Sequence, residues 1–389
     1  MIVSAPIAKS AATTAGSRLA FIDNIRWVMI VIVICHHAAV TYSHVGGWYY
    51  LDGPEPSISA KLPFVALETY DQAYFMGFLF LIAGYFVPRA FDVKGPVRFL
   101  RDRAIRLGIP SLIFMLIIQP VTVYWLLRRF YEPSRPPLSG AYLPYITSGR
   151  VLSGTGPMWF AVALLAFCCA YAVARIVVPR FRVDRLPTHK NVVGAILLIA
   201  ICTFAVRIVQ PIGTNILNMQ LCYFSQYVML FAIGIFSYRG DWLLRIPSSF
   251  GLFWFKLALR IGIPGFFAVL VVSGALHGNA GPLLGGLHWQ SALFSLWESL
   301  FCVGVCLGLT VLFRDHFNRQ TQFTGWMSRN SFTAYMLHTP ILVATTLALR
   351  SLHTAVGLKF LFACLIAAPI TFLVSGLLRP ILPGLRRVL

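Results

Sequence analysis

Long apolar stretches alternate with short polar segments along this chain, and each stretch is about as long as a membrane-spanning helix. A helix needs about 20 mostly apolar residues to cross the hydrocarbon core of a bilayer. Stretches of this kind recur ten times between residues 25 and 378. They run approximately over residues 25–44, 70–88, 107–127, 158–178, 191–210, 221–238, 257–276, 291–313, 331–349 and 358–378. The pattern predicts an all-α polytopic membrane protein with about ten transmembrane helices.

Composition and charge support this fold class. Of the 389 residues, 58% are hydrophobic and only 11% are charged, whereas about 25% are charged in soluble domains. Most of the 32 Lys and Arg residues lie in alternate loops, among them residues 89–106. Because cytoplasmic loops carry an excess of positive charge, we expect both termini in the cytoplasm and a multi-pass protein of the cytoplasmic (inner) membrane. The net charge of +20 then reflects topology and contact with membrane lipid, and no nucleic-acid partner is expected.

A single membrane domain is expected over residues 18–389, because no polar segment is long enough to form a second core. Residues 1–17, rich in Ala, Ser and Thr, are expected to form a disordered tail and lack the apolar stretch of a cleaved signal peptide. Segments 45–69 and 128–157 are rich in Pro, Gly, Ser and Tyr, which is typical of irregular loops that cap a site. All eight cysteines fall in predicted spans without a C-x-x-C pair, so we expect no disulfide framework and no metal site.

Arg26 and His37 are the first candidates for chemistry, and they lie eleven residues apart on the first predicted span. At about 100° and 1.5 Å per residue, both side chains share one helix face and lie about 16 Å apart along the axis. An imidazole titrates near neutral pH, so His37 is a candidate general base. His36 points about 100° away and could support His37, although packing is the alternative for both histidines. We expect Arg26 and His37 to line one polar cavity that is open to both sides of the membrane.

A group of four arginines precedes the third predicted span. They are Arg98, Arg101, Arg103 and Arg106. Residues three apart lie on one face of a helix, and paired guanidinium groups bind phosphates well. A phosphorylated donor that approaches from the cytoplasm would suit this spacing. The alternative is that these charges only hold the loop on the cytoplasmic side.

Two carboxylates are candidates for orienting a histidine. Glu298 is the only carboxylate in the middle of a predicted span, where an unpaired charge is costly. It either forms a salt bridge, for example with Arg207, or orients a histidine or a polar substrate. Asp71, like Glu68, lies at the outer mouth of the second predicted span, where a solvated helix end is the simpler interpretation.

Two further side chains are candidates for substrate contact. His338 lies two turns into the ninth predicted span, and Pro340 would loosen the helix beside it. A lone histidine in such a position is more often structural. Trp159 opens the fourth predicted span, where anchoring at the membrane interface is the alternative role.

Five segments in order resemble the acyltransferase 3 family of integral membrane acyltransferases, and are most similar to its branch of glucan succinyltransferases. They are residues 21–26 with His37, an Arg-x10-His pair; residues 78–86, similar to Phe-Phe-x-x-Ser-Gly-Phe; residues 103–106 with Pro110, an Arg-x-x-Arg segment; residues 156–160, similar to Leu-Trp-Phe; and residues 331–338, a Tyr-x-x-His segment. Ala83 stands where the family usually has Ser, so no nucleophile is assigned there.

The resemblance implies transfer of an acyl group, acetyl or succinyl, from cytoplasmic acyl-CoA to a hydroxyl of an extracytoplasmic acceptor, commonly a carbohydrate. Acyl-CoA would be the donor substrate and no metal would be required. Arg98, Arg101, Arg103 and Arg106 would bind the phosphates of the donor, and Arg26 would bind phosphate or polar groups of the pantetheine arm. His37 would deprotonate the acceptor or briefly carry the acyl group. Glu298 or Asp71 would orient His37, and His36, Trp159 and His338 would contact substrate.

A proton-coupled transporter is the main alternative. Buried His37, Glu298 and His338 could form a proton relay, as ionisable residues in membrane spans often do. Transporters usually contain repeated halves, whereas the only internal similarity here is the short likeness between residues 79–89 and 230–239. This scarcity of repeats favours the enzyme.

Overall fold

Ten long helices make up most of the protein, in a computed structural model that describes residues 19–381. The predicted tail, residues 1–17, lies outside the described residues, as do residues 382–389. The helices are α1 (Ala20–Ser43), α2 (Ile58–Lys94), α3 (Pro96–Phe130), α4 (Gly156–Val177), α5 (His189–Val209), α6 (Leu221–Arg239), α7 (Ser248–Val272), α8 (Trp289–His316), α9 (Gln322–Ala348) and α10 (Val356–Ile381). The predicted all-α fold is confirmed, since no β-strand occurs between residues 19 and 381.

Nine of these helices in the described chain are long and apolar enough to cross a membrane, as a multi-pass membrane protein requires. The exception is α9, which is long enough with 27 residues but contains many polar ones. Asn330, Thr333, His338 and Thr339 of α9 are all buried, and α9 packs against α1 and α10. The ninth predicted span is therefore a helix whose polar side chains are covered by neighbouring helices instead of lipid.

The expectation of irregular loops over residues 45–69 and 128–157 is wrong in part. Helix α2 already begins at Ile58, where the Ser57 hydroxyl accepts a hydrogen bond from the backbone of Ala60 and so caps the helix. The segment 128–157 contains a ten-residue helix, Leu138–Thr147. A hydropathy pattern detects only the part of a helix that faces lipid, so polar helix ends outside that zone resemble loops.

Helix α3 is irregular along its length. It contains π-helical segments, among them Ala104–Gly108 and Phe114–Ile118, which precede Pro110 and Pro120. A proline lacks the N–H that an α-helix needs, and a wider π-turn accommodates the change. Because α3 starts at Pro96, the arginines of residues 98–106 lie on a helix and not in a loop.

Helices α2 and α6 cross at close range. A Cβ added to Gly84 of α2 would collide with the carbonyl oxygen of Phe231, and one added to Gly234 of α6 would collide with that of Leu81. Only residues without a side chain allow two backbones to approach this closely. Helix α1 packs against α2, α9 and α10, which places its histidine pair inside the bundle.

Candidate active site

A large cavity lies in the half of the bundle away from the arginines of α3. Its volume is about 1240 Å³, and its wall includes side chains of α1, α2, α6, α8 and α9. The segments before α2, before α6 and before α8 also contribute to the wall. Four predicted site residues line this cavity, namely His36, His37, Trp159 and Glu298. The fold therefore collects residues from distant parts of the sequence around one space.

His37, Trp48 and His338 form a cluster of three near-parallel rings, and the ring centroids of Trp48 and His338 lie 6.5 Å apart. The indole of Trp48 lies 4.2 Å from the His37 ring centroid at an angle of 15°, and the imidazole of His338 lies 5.4 Å away at 10°. Such near-parallel contacts fix the plane of the imidazole. Nδ1 of His37 has no hydrogen-bond partner among the described residues. His37 is thus held in orientation, and its Nδ1 is buried without a partner in this part of the chain.

His338 packs against His37 and does not itself line the cavity. Its Nδ1 lies 2.6 Å from the carbonyl oxygen of Tyr335, and because a carbonyl only accepts, Nδ1 must carry the hydrogen. Nε2 then carries the lone pair and, within residues 19–381, has no partner. The Tyr335 hydroxyl donates to the carbonyl of Pro157, which ties α9 to the segment that begins α4.

His36 faces another direction from His37, as its position in the helix predicts. Its ring centroid lies 5.1 Å from that of Phe75 and 5.5 Å from that of His37. His36 also lines the cavity. It therefore combines packing against α2 with a position from which it could contact a ligand.

Trp159 lines the cavity. Its ring stacks on Tyr227 at 5.7 Å and 28°, and Tyr227 in turn stacks on Phe80 at 5.0 Å. The Tyr227 hydroxyl accepts a hydrogen bond of 3.1 Å from the amide of Gln72. These rings form an amphipathic wall with a polar hydroxyl and amide beside apolar faces.

Tyr49 adds a further polar group to the wall, from the segment between α1 and α2. Its hydroxyl donates a hydrogen bond to Gln119 of α3. Burial raises the pKa of the Tyr49 phenol, so the group remains a neutral donor. The sequence suggests the aromatic triplet 48–50 for stacking on sugar rings, with placement in the aromatic belt of the membrane as the alternative.

Glu298 is paired with Arg207, which was the structural alternative. Arg207 Nη2 donates to the Glu298 carboxylate at 2.7 Å, and Nη1 donates to Ser295 at 3.2 Å. The guanidinium also lies 5.4 Å from the ring centroids of Tyr223 and Phe294. The Glu298 carboxylate is thus held by an arginine while its side chain lines the cavity.

Asp71 and Glu68 are not solvated helix ends. Both are buried, because α2 begins ten residues before Glu68 and carries both residues into the bundle. Glu68 accepts a hydrogen bond of 2.7 Å from Ser43 and lines the cavity, whereas Oδ2 of Asp71 has no partner among the described residues. Neither Asp71 nor Glu298 is hydrogen-bonded to Nδ1 of His37 in this part of the chain.

Arg26 lies outside the cavity. Its side chain is 45% exposed and lies 3.8 Å from Asp23, and Ile30, one turn further along α1, is buried in the core. Arg26 and His37 thus share a helix face, but only His37 lines this cavity. The register argument placed both on one helix face, but it could not show which of them meets the cavity.

The four arginines of α3 do not act as one group. Arg98, Arg101 and Arg106 are exposed, and Arg106 forms an ion pair of 3.1 Å with Asp102. Arg103 instead turns inward, with its guanidinium carbon 5.3 Å from the ring centroid of Phe99. None of the four lines the cavity. The basic end of the bundle, defined by the C-terminal ends of α2, α4 and α6 and the start of α3, is thus separate from the cavity.

Comparison with known proteins identifies the family. A family model described as an acyltransferase domain, acyltransferase 3, matches residues 19–379. No curated protein and no solved structure matches the chain. Because the match spans almost the whole chain, the protein belongs to the acyltransferase 3 family.

Proposed function

We propose that this membrane acyltransferase moves an acetyl or succinyl group from acyl-CoA to a hydroxyl of an extracytoplasmic acceptor, with His37 as the reacting group. The donor would bind at the basic end and the acceptor in the cavity. The observation that carries this proposal is the His37 imidazole, which lines the cavity and is held by near-parallel contacts with Trp48 and His338.

His37 would act as a general base. Its ring would take the proton of the acceptor hydroxyl while the oxygen attacks the thioester carbonyl of the donor. The carbon–sulfur bond then breaks, and the coenzyme A thiolate leaves and takes up the proton from the imidazolium. Trp48 and His338 hold the ring plane throughout, which lowers the entropic cost of the correct orientation.

The cavity wall favours a carbohydrate acceptor. Trp48, Trp159 and Tyr227 line the cavity, and aromatic side chains can pack against the apolar faces of sugar rings. Gln72 and Gln220, also in the wall, supply amide groups for hydroxyl recognition. A volume of about 1240 Å³ is enough for an oligosaccharide end.

Charge supports binding of the donor at the opposite end. The positively charged ends of α2, α3, α4 and α6 suit a cytoplasmic position and a phosphorylated donor. We therefore propose that the protein lies in the cytoplasmic membrane with this end inward. Transfer then requires a path for the pantetheine arm from this end to His37.

The contacts of the buried ionisable residues do not support a proton-coupled transporter. A proton relay through His37, His338 and Glu298 would need a hydrogen-bonded path, yet the Glu298 carboxylate is bound by Arg207. Membership of an acyltransferase family also favours the enzyme.

The test is release of coenzyme A thiol by purified protein in nanodiscs, supplied with acetyl-CoA or succinyl-CoA and an oligosaccharide. We expect His37→Ala to lower the transfer rate by about 10²–10⁴-fold, the usual contribution of a general base, with binding of the donor retained. His353→Ala is the control, because His353 is exposed after α9. Full activity of His37→Ala would refute the role of His37, and labelled acyl group trapped on His37 would replace the base by an acyl carrier.

A further inference from the structure

Three arginines at the basic end have a buried Nε atom without a hydrogen-bond partner among the described residues. They are Arg103 of α3, Arg175 of α4 and Arg239 of α6. The side chains of Arg175 and Arg239 are only 11% and 10% exposed. Polar hydrogens buried without an acceptor are rare in folded proteins, because each costs free energy.

One carboxylate forms ion pairs with three arginines at this end, of which Arg175 and Arg239 belong to the group above. Asp92, near the end of α2, lies 2.8 Å from Arg239 Nη1, 3.2 Å from Arg180 Nε and 3.5 Å from Arg175 Nη2. Across residues 19–381, no second carboxylate lies within 4 Å of these three arginines or of Arg103. The group therefore keeps a surplus of positive charge, which an arginine cannot relieve by losing a proton.

Aromatic rings hold the guanidinium groups in place. Arg103 lies 5.3 Å over Phe99 and Arg175 lies 5.7 Å over Phe91, and these two rings pack edge to face at 5.5 Å. Phe91 also packs edge to face on Tyr171 at 5.5 Å, and the Tyr171 hydroxyl accepts from Arg239 at 3.5 Å. Side chains of four helices are thereby fixed around one small region before any ligand is present.

Phosphate fits this arrangement better than other anions. A guanidinium donates two parallel hydrogen bonds to phosphate oxygens, and several guanidinium groups together match the charge of a diphosphate. We propose that Arg103, Arg175 and Arg239 form a phosphate-binding site for the diphosphate of the acyl donor. This assignment rests on the proposed function, and a phospholipid headgroup offers the same phosphate chemistry.

The arginines of α3 would contribute unequally to phosphate binding. Arg103 would contact the phosphates, whereas Arg98 and Arg101, which point outward, would contribute only to the general positive field. Arg103 is also the best residue to change, because it has no ion pair with Asp92 that its removal would disturb.

The experiment measures the Kd of coenzyme A for the full chain in phosphatidylcholine nanodiscs. We expect Arg103→Gln to weaken binding about tenfold or more, since it removes a charged hydrogen bond, and inorganic pyrophosphate to compete in the unchanged protein. Arg103→Lys, which keeps the charge but not the fork, would recover only part of the affinity. The matched control is Arg182→Gln, which removes one charge near the same end from a residue that is 84% exposed.

Two results would overturn the assignment. In the first, the Kd of coenzyme A is unchanged in Arg103→Gln but rises in the Arg98→Gln, Arg101→Gln double variant, while transfer still depends on His37. The other is retention of phosphatidylglycerol, measured by native mass spectrometry, that is lost in Arg103→Gln without a change in the Kd of coenzyme A. The second result assigns the site to a lipid headgroup. An unchanged protein that binds no coenzyme A at all would instead refute the proposed function itself.

Discussion

Removing the Glu298 carboxylate should strongly destabilise the bundle. Arg207 is fully buried and Glu298 is 3% exposed, with 2.7 Å between their charged atoms. Glu298→Ala would leave a guanidinium buried without its counter-charge, which costs about 3–5 kcal/mol in the free energy of unfolding. Ser295 and the two flanking rings compensate only a small part of this loss, because none of them carries a negative charge.

A second ion pair of similar length serves as the control. Arg182 and Asp184 lie 2.9 Å apart but are 84% and 79% exposed, so Asp184→Ala should change the free energy of unfolding by no more than about 1 kcal/mol. Replacing both buried partners, as Arg207→Met with Glu298→Leu, should recover most of the lost stability, since apolar side chains of similar volume need no counter-charge.

The assay is reversible unfolding in mixed micelles with increasing sodium dodecyl sulfate, with acyl transfer measured on the same preparations. Equal stability of Glu298→Ala and Asp184→Ala would refute the reasoning about burial. Loss of transfer in the stable double variant would show that the Arg207–Glu298 pair serves the reaction beyond its contribution to stability.

Two further predictions concern packing around the site. Gly84→Ala should lower the free energy of unfolding by about 1–3 kcal/mol, because the added Cβ would collide with the Phe231 carbonyl. Gly194→Ala is the control and should not lower it, because nothing lies within 4 Å of a Cβ at that position. The same unfolding assay measures both variants, and equal stability of the two would contradict the close crossing of α2 and α6. Trp48→Ala should reduce kcat more than it weakens donor binding, because it removes the ring that stacks on His37. An unchanged kcat in steady-state kinetics would show that Trp48 does not position the His37 ring.

The helices were predictable because lipid imposes a length and a composition on each span. Nine of the ten predicted spans correspond to helices that are long and apolar enough within residues 19–381. The tenth, α9, is less apolar because His338 and its polar neighbours face other helices. The start of α2 was missed for a related reason, since residues 58–69 contain Lys61, Glu68 and Thr69 and resemble a loop to any measure of hydropathy.

The site was only partly predictable, because sequence spacing fixes directions on one helix and not contacts between helices. The Arg26–His37 register is real on α1, but the packing of α2, α9 and α10 decides what each side chain meets. The contact between Trp48 and His37 depends on how the segment after α1 folds back. The Arg207–Glu298 pair joins residues 91 positions apart, so the sequence could offer it only as one alternative.

Transfer across a sealed membrane tests the central proposal most directly. Liposomes would contain the protein in one orientation, with radiolabelled acyl-CoA supplied on the side of the basic end and the oligosaccharide on the other side. Labelled oligosaccharide should form with the unchanged protein and with His353→Ala, and should fall at least a hundredfold with His37→Ala. Labelled product formed at the normal rate by His37→Ala, or formed only when donor and acceptor share one side, would contradict the proposal.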